Sequence, residues 1–187
     1  MDDNTALYVQ NFVAHGSKSR RTCAFVERIG ATVLGVKPAC LTTVSPECLV
    51  MCGRHLSGSG PVTFAIVKSV KEKKQLFIYH RERLEATLAS APVRRYLEDL
   101  GYPQEGGTTQ LVRILTERLR GTRFPHEIGI FLGYPLKDVR GFMGAKIPYR
   151  KTMGWRMYGD VHQSEEIYWQ HADARKSVRN MLLQVCQ

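Results

Sequence analysis

The stretch that decides the fold of this chain is Phe124-Pro125-His126-Glu127-Ile128-Gly129-Ile130-Phe131-Leu132-Gly133-Tyr134-Pro135-Leu136-Lys137-Asp138-Val139-Arg140-Gly141-Phe142. Pro125 lacks a backbone donor and suits the first position of a helix, and the apolar residues after it recur with helical spacing. Gly133 permits the left-handed backbone that ends a helix, and Pro135 suits the start of another. The stretch therefore predicts a helix, a tight turn and a second short helix.

This stretch also resembles the hallmark of a bacterial protein family, the domain of unknown function 3793 family. Members carry Pro-His-Glu-Ile-Gly, Phe-Leu-Gly-Tyr-Pro and Asp-Val-x-Gly-Phe in this order. Weaker matches, which extend the resemblance over roughly residues 10–175, are Gly35-Val36-Lys37-Pro38-Ala39, Leu100-Gly101-Tyr102 and Gly154-Trp155-Arg156-Met157-Tyr158-Gly159-Asp160. The resemblance implies a cytoplasmic protein of one domain and supplies no activity. Family members are often encoded near iron-handling or flavodoxin-like proteins, so it also implies a link to iron metabolism and haem or flavin as the first ligands to test.

The composition predicts a basic globular protein. The 187 residues are 43% hydrophobic, and 27 basic against 17 acidic residues give a formal charge of +10. That charge attracts phosphates, carboxylates, anionic cofactors and nucleic acid. The cations are spread in short clusters along the chain, and each cluster could equally be a solvated face. We predict a single domain over residues 1–187, because a chain of this length buries one core or two small ones.

Features of the termini and cysteines predict a cytoplasmic location. No apolar run approaches the ~20 residues that span a bilayer, and the amino terminus lacks the basic and apolar regions of a secretory signal. The five cysteines are odd in number and not spaced like a disulfide framework, so we expect reduced thiols.

The fold class predicted from the patterns is α+β. Two β-rich runs at 62–67 and 75–79 predict an antiparallel hairpin at about residues 62–80, packed with several helices. The part at about 1–80 is predicted to be mixed, and the part at about 81–187 to be helical. Besides the Phe124–Phe142 stretch, helices are predicted at 5–14, 20–29, 46–55, 81–90, 92–100, 108–120 and 164–183, with a first strand at 32–36 and a short strand or loop at 154–159.

Four polar residues are predicted to surround a ligand pocket. His126 and Glu127 follow Pro125 and are predicted to lie in a first helical turn, where unpaired amides favour an anion. Tyr134 lies in the turn between the two helices, and Lys37 follows the predicted first strand and matches the family pattern. A histidine near neutral pH could donate to a ligand or act as acid or base. The alternative is that His126 and Tyr134 are satisfied and packed within the fold.

Cysteines and histidine on one predicted helix suggest a second site. Cys48, Cys52 and His55 are spaced by four and then three residues, which places them on one helical face as a soft metal or an activated thiolate requires. A fourth ligand is not evident, and buried cysteines commonly serve as small apolar residues, so our prediction for metal is none. Cys40, after Lys37, is a candidate nucleophile that would need a neighbouring base.

Residues 125–144 also permit a nucleic-acid interpretation. Gly129, Gly133 and Val139 fall where helix-turn-helix motifs place a small residue, the turn glycine and an apolar residue. The second helix offers a poor set for reading base edges, and Asp138 would repel phosphate. The pattern favours a purely structural helical hairpin over DNA recognition.

No motif settles whether the protein is an enzyme. The chain contains no phosphate-binding glycine loop, dinucleotide fingerprint, Ser-His-Asp order or paired zinc knuckles. The leading hypothesis is binding of a small anionic ligand or redox cofactor of haem or flavin type, with Lys37, His126, Glu127 and Tyr134 around one pocket. The alternatives are nucleic-acid binding through residues 125–144 and an interaction module without catalysis.

Overall fold

The computed structural model describes residues 3–16 and 19–185. The helices are α1 (Asp3–Gly16), α2 (Arg20–Val33), α3 (Pro46–His55), α4 (Arg81–Ala89), α5 (Ala91–Asp99), α6 (Gly107–Arg120), α7 (Ile128–Phe131), α8 (Leu136–Phe142) and α9 (His162–Val185). The strands are β1 (Ala39–Val44), β2 (Val62–Val70), β3 (Lys73–His80), β4 (Tyr149–Met153) and β5 (Trp155–Tyr158). Within these described residues, no helix is both long and apolar enough to cross a membrane.

A three-stranded antiparallel sheet forms the centre of the fold, with strand order β1-β3-β2. Ile78 of β3 pairs with Cys40 of β1 on one side and with Phe64 of β2 on the other. The predicted hairpin at 62–80 is present, and its strands run longer than the apolar runs that predicted it. The predicted α+β class is confirmed.

Helices cover both faces of this sheet, because successive side chains of each strand point to opposite sides. Leu76 and Ile78 join one apolar cluster, which includes residues of α1, α2, α3 and α9. Phe77, between them, joins a second cluster with residues of α4 to α8. The fold is therefore a layer of helices, a sheet and a second layer of helices.

The first helix layer holds α2 and α9 unusually close together. A Cβ atom on Gly30 of α2 would lie 2.9 Å from the Cβ atom of Val178 on α9, so only glycine permits this approach. Phe25, Val26 and Ile29 of α2 are fully or almost fully buried in the same cluster. The close contact brings Arg28 of α2 and His171 and Arg175 of α9 to the lining of one cavity.

The predicted strand at 32–36 is wrong. Thr32 and Val33 continue α2, and the first strand is β1, which begins only at Ala39. β-Branched Thr32, Val33 and Val36 favour a strand in this apolar run, but Thr32 and Val33 are buried against the core as the last turn of α2. Lys37 therefore precedes the first strand instead of following it.

The decisive stretch contains two short helices, but the first begins later than predicted. Pro125, His126 and Glu127 form a turn ahead of α7, whose four residues make a single helical turn. Gly133 adopts the predicted left-handed backbone, with φ of +82°. The predicted helical part also contains the β4–β5 hairpin, in which Met153 pairs with Trp155.

Candidate functional site

A pair of stacked aromatic rings forms a wall between two cavities. Tyr134 lies in the turn between α7 and α8, and Trp155 begins β5. Their ring centroids are 4.4 Å apart, and the ring planes are inclined by 15°. Two neighbouring cavities share Tyr134 and Trp155 in their linings, so the stacked rings separate one cavity from the other.

Asp138 holds this wall in place. Its Oδ2 accepts hydrogen bonds from Trp155 Nε1 at 2.8 Å and Ser164 Oγ at 2.6 Å. Its Oδ1 accepts from Lys137 Nζ and from the Tyr158 backbone N–H, both at 2.8 Å. Burial alone would raise the pKa of Asp138, but these hydrogen bonds outweigh burial and lower it. The carboxylate is therefore ionised and internally satisfied.

One cavity is lined by cations and formed mainly by α2, α9 and the wall, with Arg28 and Arg175 at its solvent-exposed side. It has a volume of about 160 Å³, and its lining residues are Arg28, Ala31, Lys37, Tyr134, Gly154, Trp155, Tyr168, His171 and Arg175. No carboxylate is among them. Within the described residues, none of Arg28, Lys37 and Arg175 has a carboxylate oxygen within 4.0 Å. We call this space the cationic cavity.

The end of α2 positions Lys37 in the cationic cavity. The backbone N–H groups of Val36 and Lys37 both donate to Ala31 O, at 3.0 and 2.9 Å. The next residue, Pro38, packs so closely on Gly133 that a Cβ atom there would lie 2.6 Å from Pro38 Cδ. Lys37 Nζ lies 5.6 Å from the centroid of the Tyr134 ring. The chain thus holds a partly buried ammonium group beside an aromatic face.

The cationic cavity lowers the pKa values of Lys37 and His171. Burial lowers the pKa of Lys37, and this effect outweighs the neighbouring Cys40, which raises the pKa; the positive charge of Arg175 lowers it a little further. Burial also lowers the pKa of His171 to about 4, helped by the charges of Lys37, Arg175 and Arg83. His171 is therefore a neutral imidazole at pH 7, able to donate or accept one hydrogen bond.

The second cavity is larger and mostly apolar. It has a volume of about 350 Å³ and is lined by Phe124, His126, Ile128, Gly129, Leu132, Tyr134, Asp138, Val139, Phe142, Thr152, Trp155 and Arg156. The His126 ring lies 4.9 Å from the Phe142 ring and 5.6 Å from the Phe124 ring, centroid to centroid. We call this space the aromatic cavity.

The structure divides the four residues that were predicted to share one pocket. His126 and Tyr134 line the aromatic cavity, whereas Lys37 lies across the wall in the cationic cavity. Glu127 faces neither, because its buried Oε1 accepts from Arg118 Nη1 at 2.8 Å and from the Tyr102 hydroxyl at 3.1 Å. Tyr134 lines both cavities and therefore lies on the same wall as His126 on one side and Lys37 on the other.

The candidate cysteines lie in the apolar core. Cys48 and Cys52 are buried in the first cluster, and burial raises the pKa of Cys52 to about 12. The His55 ring contacts those of Phe12 and His15. No group of three or more His, Cys, Asp or Glu side chains in the described part is arranged to hold a metal. Burial likewise raises the pKa of Cys40 to about 11, which leaves it a poor nucleophile.

The geometry of residues 125–144 gives no support to DNA reading. A first helix of four residues is too short to brace a recognition helix across a DNA backbone. The second helix, α8, turns Asp138, Val139 and Gly141 into the protein. The helix-turn-helix interpretation stays a prediction without structural support.

Sequence reasoning missed several residues of the cationic cavity. Tyr168, His171 and Arg175 have the spacing i, i+3, i+7, which places them on one face of a helix. Arg28 comes from α2, 140 or more positions away in the chain from this group. The helical spacing was a usable signal for the three residues of α9, whereas nothing local in the sequence pairs them with Arg28.

Comparison with known proteins identifies the family and nothing closer. Searches among curated proteins and among solved structures found no match. A family model described as "Protein of unknown function (DUF3793)" matches residues 25–187, which include the lining of both cavities. Since the match covers most of the chain, the resemblance seen in the Phe124–Phe142 stretch is confirmed, and the protein belongs to the DUF3793 family.

Proposed function

We propose that the protein binds a small anionic ligand in the cationic cavity. The observation that carries this proposal is the convergence of Arg28, Lys37 and Arg175 on one cavity whose lining contains no carboxylate. A partly buried ammonium without an ionic partner lowers stability, so a fold that retains one has a use for its charge. An anion in the cavity supplies the missing partner.

The chemistry of the lining favours a phosphate or carboxylate group. Arginine guanidinium groups present paired donors that match these anions, and Lys37 adds a point charge. Neutral His171 and the Tyr134 hydroxyl add hydrogen bonds at the wall. The volume of about 160 Å³ lies below the ~300 to 1,000 Å³ of pockets for drug-sized ligands, so the cavity suits one small anion or one anionic group. A whole haem or flavin ring exceeds it.

A groove adjoins the cationic cavity and extends its positively charged surroundings. The groove has a volume of about 430 Å³ and shares Tyr134 and His171 with the cationic cavity. Arg83 contributes positive charge, Lys137 is paired with Asp138, and no carboxylate side chain lines the groove. A positive approach raises the local concentration of anions and their rate of entry.

Two sequence-based predictions are compatible with this proposal: a cytoplasmic location and a binding role without catalysis. Cytoplasmic location is supported by the four cysteines of the described residues, none of which is in a disulfide, while Cys186 lies outside those residues. The positively charged cavity gives a binding role that needs no catalysis, and no reaction is assigned to it.

Calorimetric titration with inorganic phosphate at constant ionic strength tests the proposal. Lys37→Met and Arg175→Gln should each weaken binding about tenfold or more, because each removes a charge-assisted hydrogen bond. Lys176→Gln is the matched control, since Lys176 is exposed on the same helix and does not line the cavity. Equal affinities in all four proteins, or no binding by the parent, would contradict the proposal.

A further inference from the structure

The aromatic cavity has features that the binding of a small anion does not explain. Phe142 and Phe124 are 43% and 49% exposed, although large apolar side chains at a surface are usually covered. Both line a cavity of about 350 Å³, which falls within the range of pockets for small organic ligands. Exposed rings around such an opening indicate a binding surface.

Positive charge is present at the rim of the same opening. The Arg156 guanidinium lies 5.5 Å from the centroid of the Phe142 ring, at the rim. Residues 139–159 contain five Arg or Lys residues and no Asp or Glu, and one of the five, Lys151, is paired with Glu165 of α9. Asp138, the one carboxylate in the lining, has both oxygens occupied by donors of the protein itself. Its charge is thereby offset, so the rim attracts anions.

We propose that the aromatic cavity binds a planar aromatic ring that carries a phosphate. The ring enters between the rim of Phe124, His126 and Phe142 and the wall of Tyr134 and Trp155, where aromatic faces favour stacking. The phosphate stays at the rim against Arg156. This chemistry is shared by free nucleotides, flavin nucleotides and the bases of single-stranded nucleic acid. The site is separate from the cationic cavity.

Trp155 provides a direct reporter of binding. The chain has two tryptophans, and Trp169 is 57% exposed on α9. Replacing it, Trp169→Phe, leaves the emission of Trp155, which forms the wall. Flavin mononucleotide and riboflavin are matched probes, because they share one ring system and differ by a phosphate. Flavin mononucleotide should quench Trp155 and bind at least about tenfold more tightly than riboflavin.

Substitutions at the rim separate the ring from the phosphate. Phe142→Ala should weaken both probes by a similar factor of about five or more. Arg156→Gln should weaken flavin mononucleotide alone and bring the two affinities together. Arg150→Gln, on the same hairpin but outside the cavity lining, is the matched control and should leave the ratio unchanged.

The outcomes distinguish this site from the cationic cavity and from other occupants. Lys37→Met should weaken phosphate binding about tenfold or more and leave flavin mononucleotide binding unchanged; a similar weakening of both would place the probe in the cationic cavity and overturn the proposal. Absence of quenching with either probe would overturn it as well. So would a dimer that buries the Phe142 rim and excludes the probes. Titration with adenosine monophosphate and with a short single-stranded oligonucleotide then shows whether free nucleotides or single-stranded nucleic acid bind more tightly.

Discussion

Acidification should destabilise the protein through His171. The folded protein holds the pKa of His171 at about 4, against an ordinary value of 6.5, because burial and the charges of Lys37, Arg175 and Arg83 oppose protonation. The unfolded chain therefore takes up this proton first. The stabilisation is complete above pH 6.5 and decreases as the pH falls toward 4. A difference of 2.5 pKa units corresponds to about 3 kcal/mol of unfolding free energy.

Urea denaturation at several pH values between 7 and 4 measures this effect. Carboxylates also titrate in this range, so the informative quantity is the difference between the parent and His171→Gln, which cannot titrate. The parent should lose about 3 kcal/mol more than the variant over this interval. Saturating phosphate should reduce that difference, because a bound anion offsets the charges that lower the pKa. Parallel curves for the two proteins would refute the assigned environment of His171.

Three further substitutions test the positions of the wall and of Lys37. Lys37→Met should raise the unfolding free energy at pH 7 by about 1 kcal/mol, since it removes an unpaired, partly buried charge; a loss of stability in urea denaturation would argue for an ionic partner. Gly133→Ala should cost about 1 to 3 kcal/mol, because a side chain meets both the left-handed backbone and Pro38, and an unchanged urea midpoint would contradict this contact. Asp138→Ala should cost about 3 to 5 kcal/mol by leaving buried donors without an acceptor, whereas Asp173→Ala on the exposed face of α9 should cost almost nothing; equal costs would disprove the bracing role.

The elements that could be predicted from the sequence are those with strong local signals. Ser45 and Pro46 start α3 as expected, with the Ser45 hydroxyl accepting from the Cys48 N–H. Gly133 also has its predicted backbone. Val33 shows the limit of this reasoning, because a β-branched residue in a short apolar run was assigned to a strand although its packing keeps it in α2.

The candidate site was only half predictable for a related reason. Lys37 and Tyr134 were recognised, but their partners come from helices distant in sequence, so no local pattern joins them. Asp138 was considered only as a group that would repel phosphate from a recognition helix. Its actual role, bracing Trp155, depends on a contact across 17 residues that appears only in the folded chain.

A crystal structure with a bound anion would show whether the cationic cavity is an anion site. Selenate resembles phosphate in shape and charge, and its selenium is visible by anomalous scattering in crystals grown without sulfate or phosphate. We expect a selenium peak in the cationic cavity, between Lys37 Nζ and the guanidinium groups of Arg28 and Arg175, and none there in Lys37→Met crystals. An empty cavity in the parent, with selenate bound only at exposed arginines elsewhere, would contradict it.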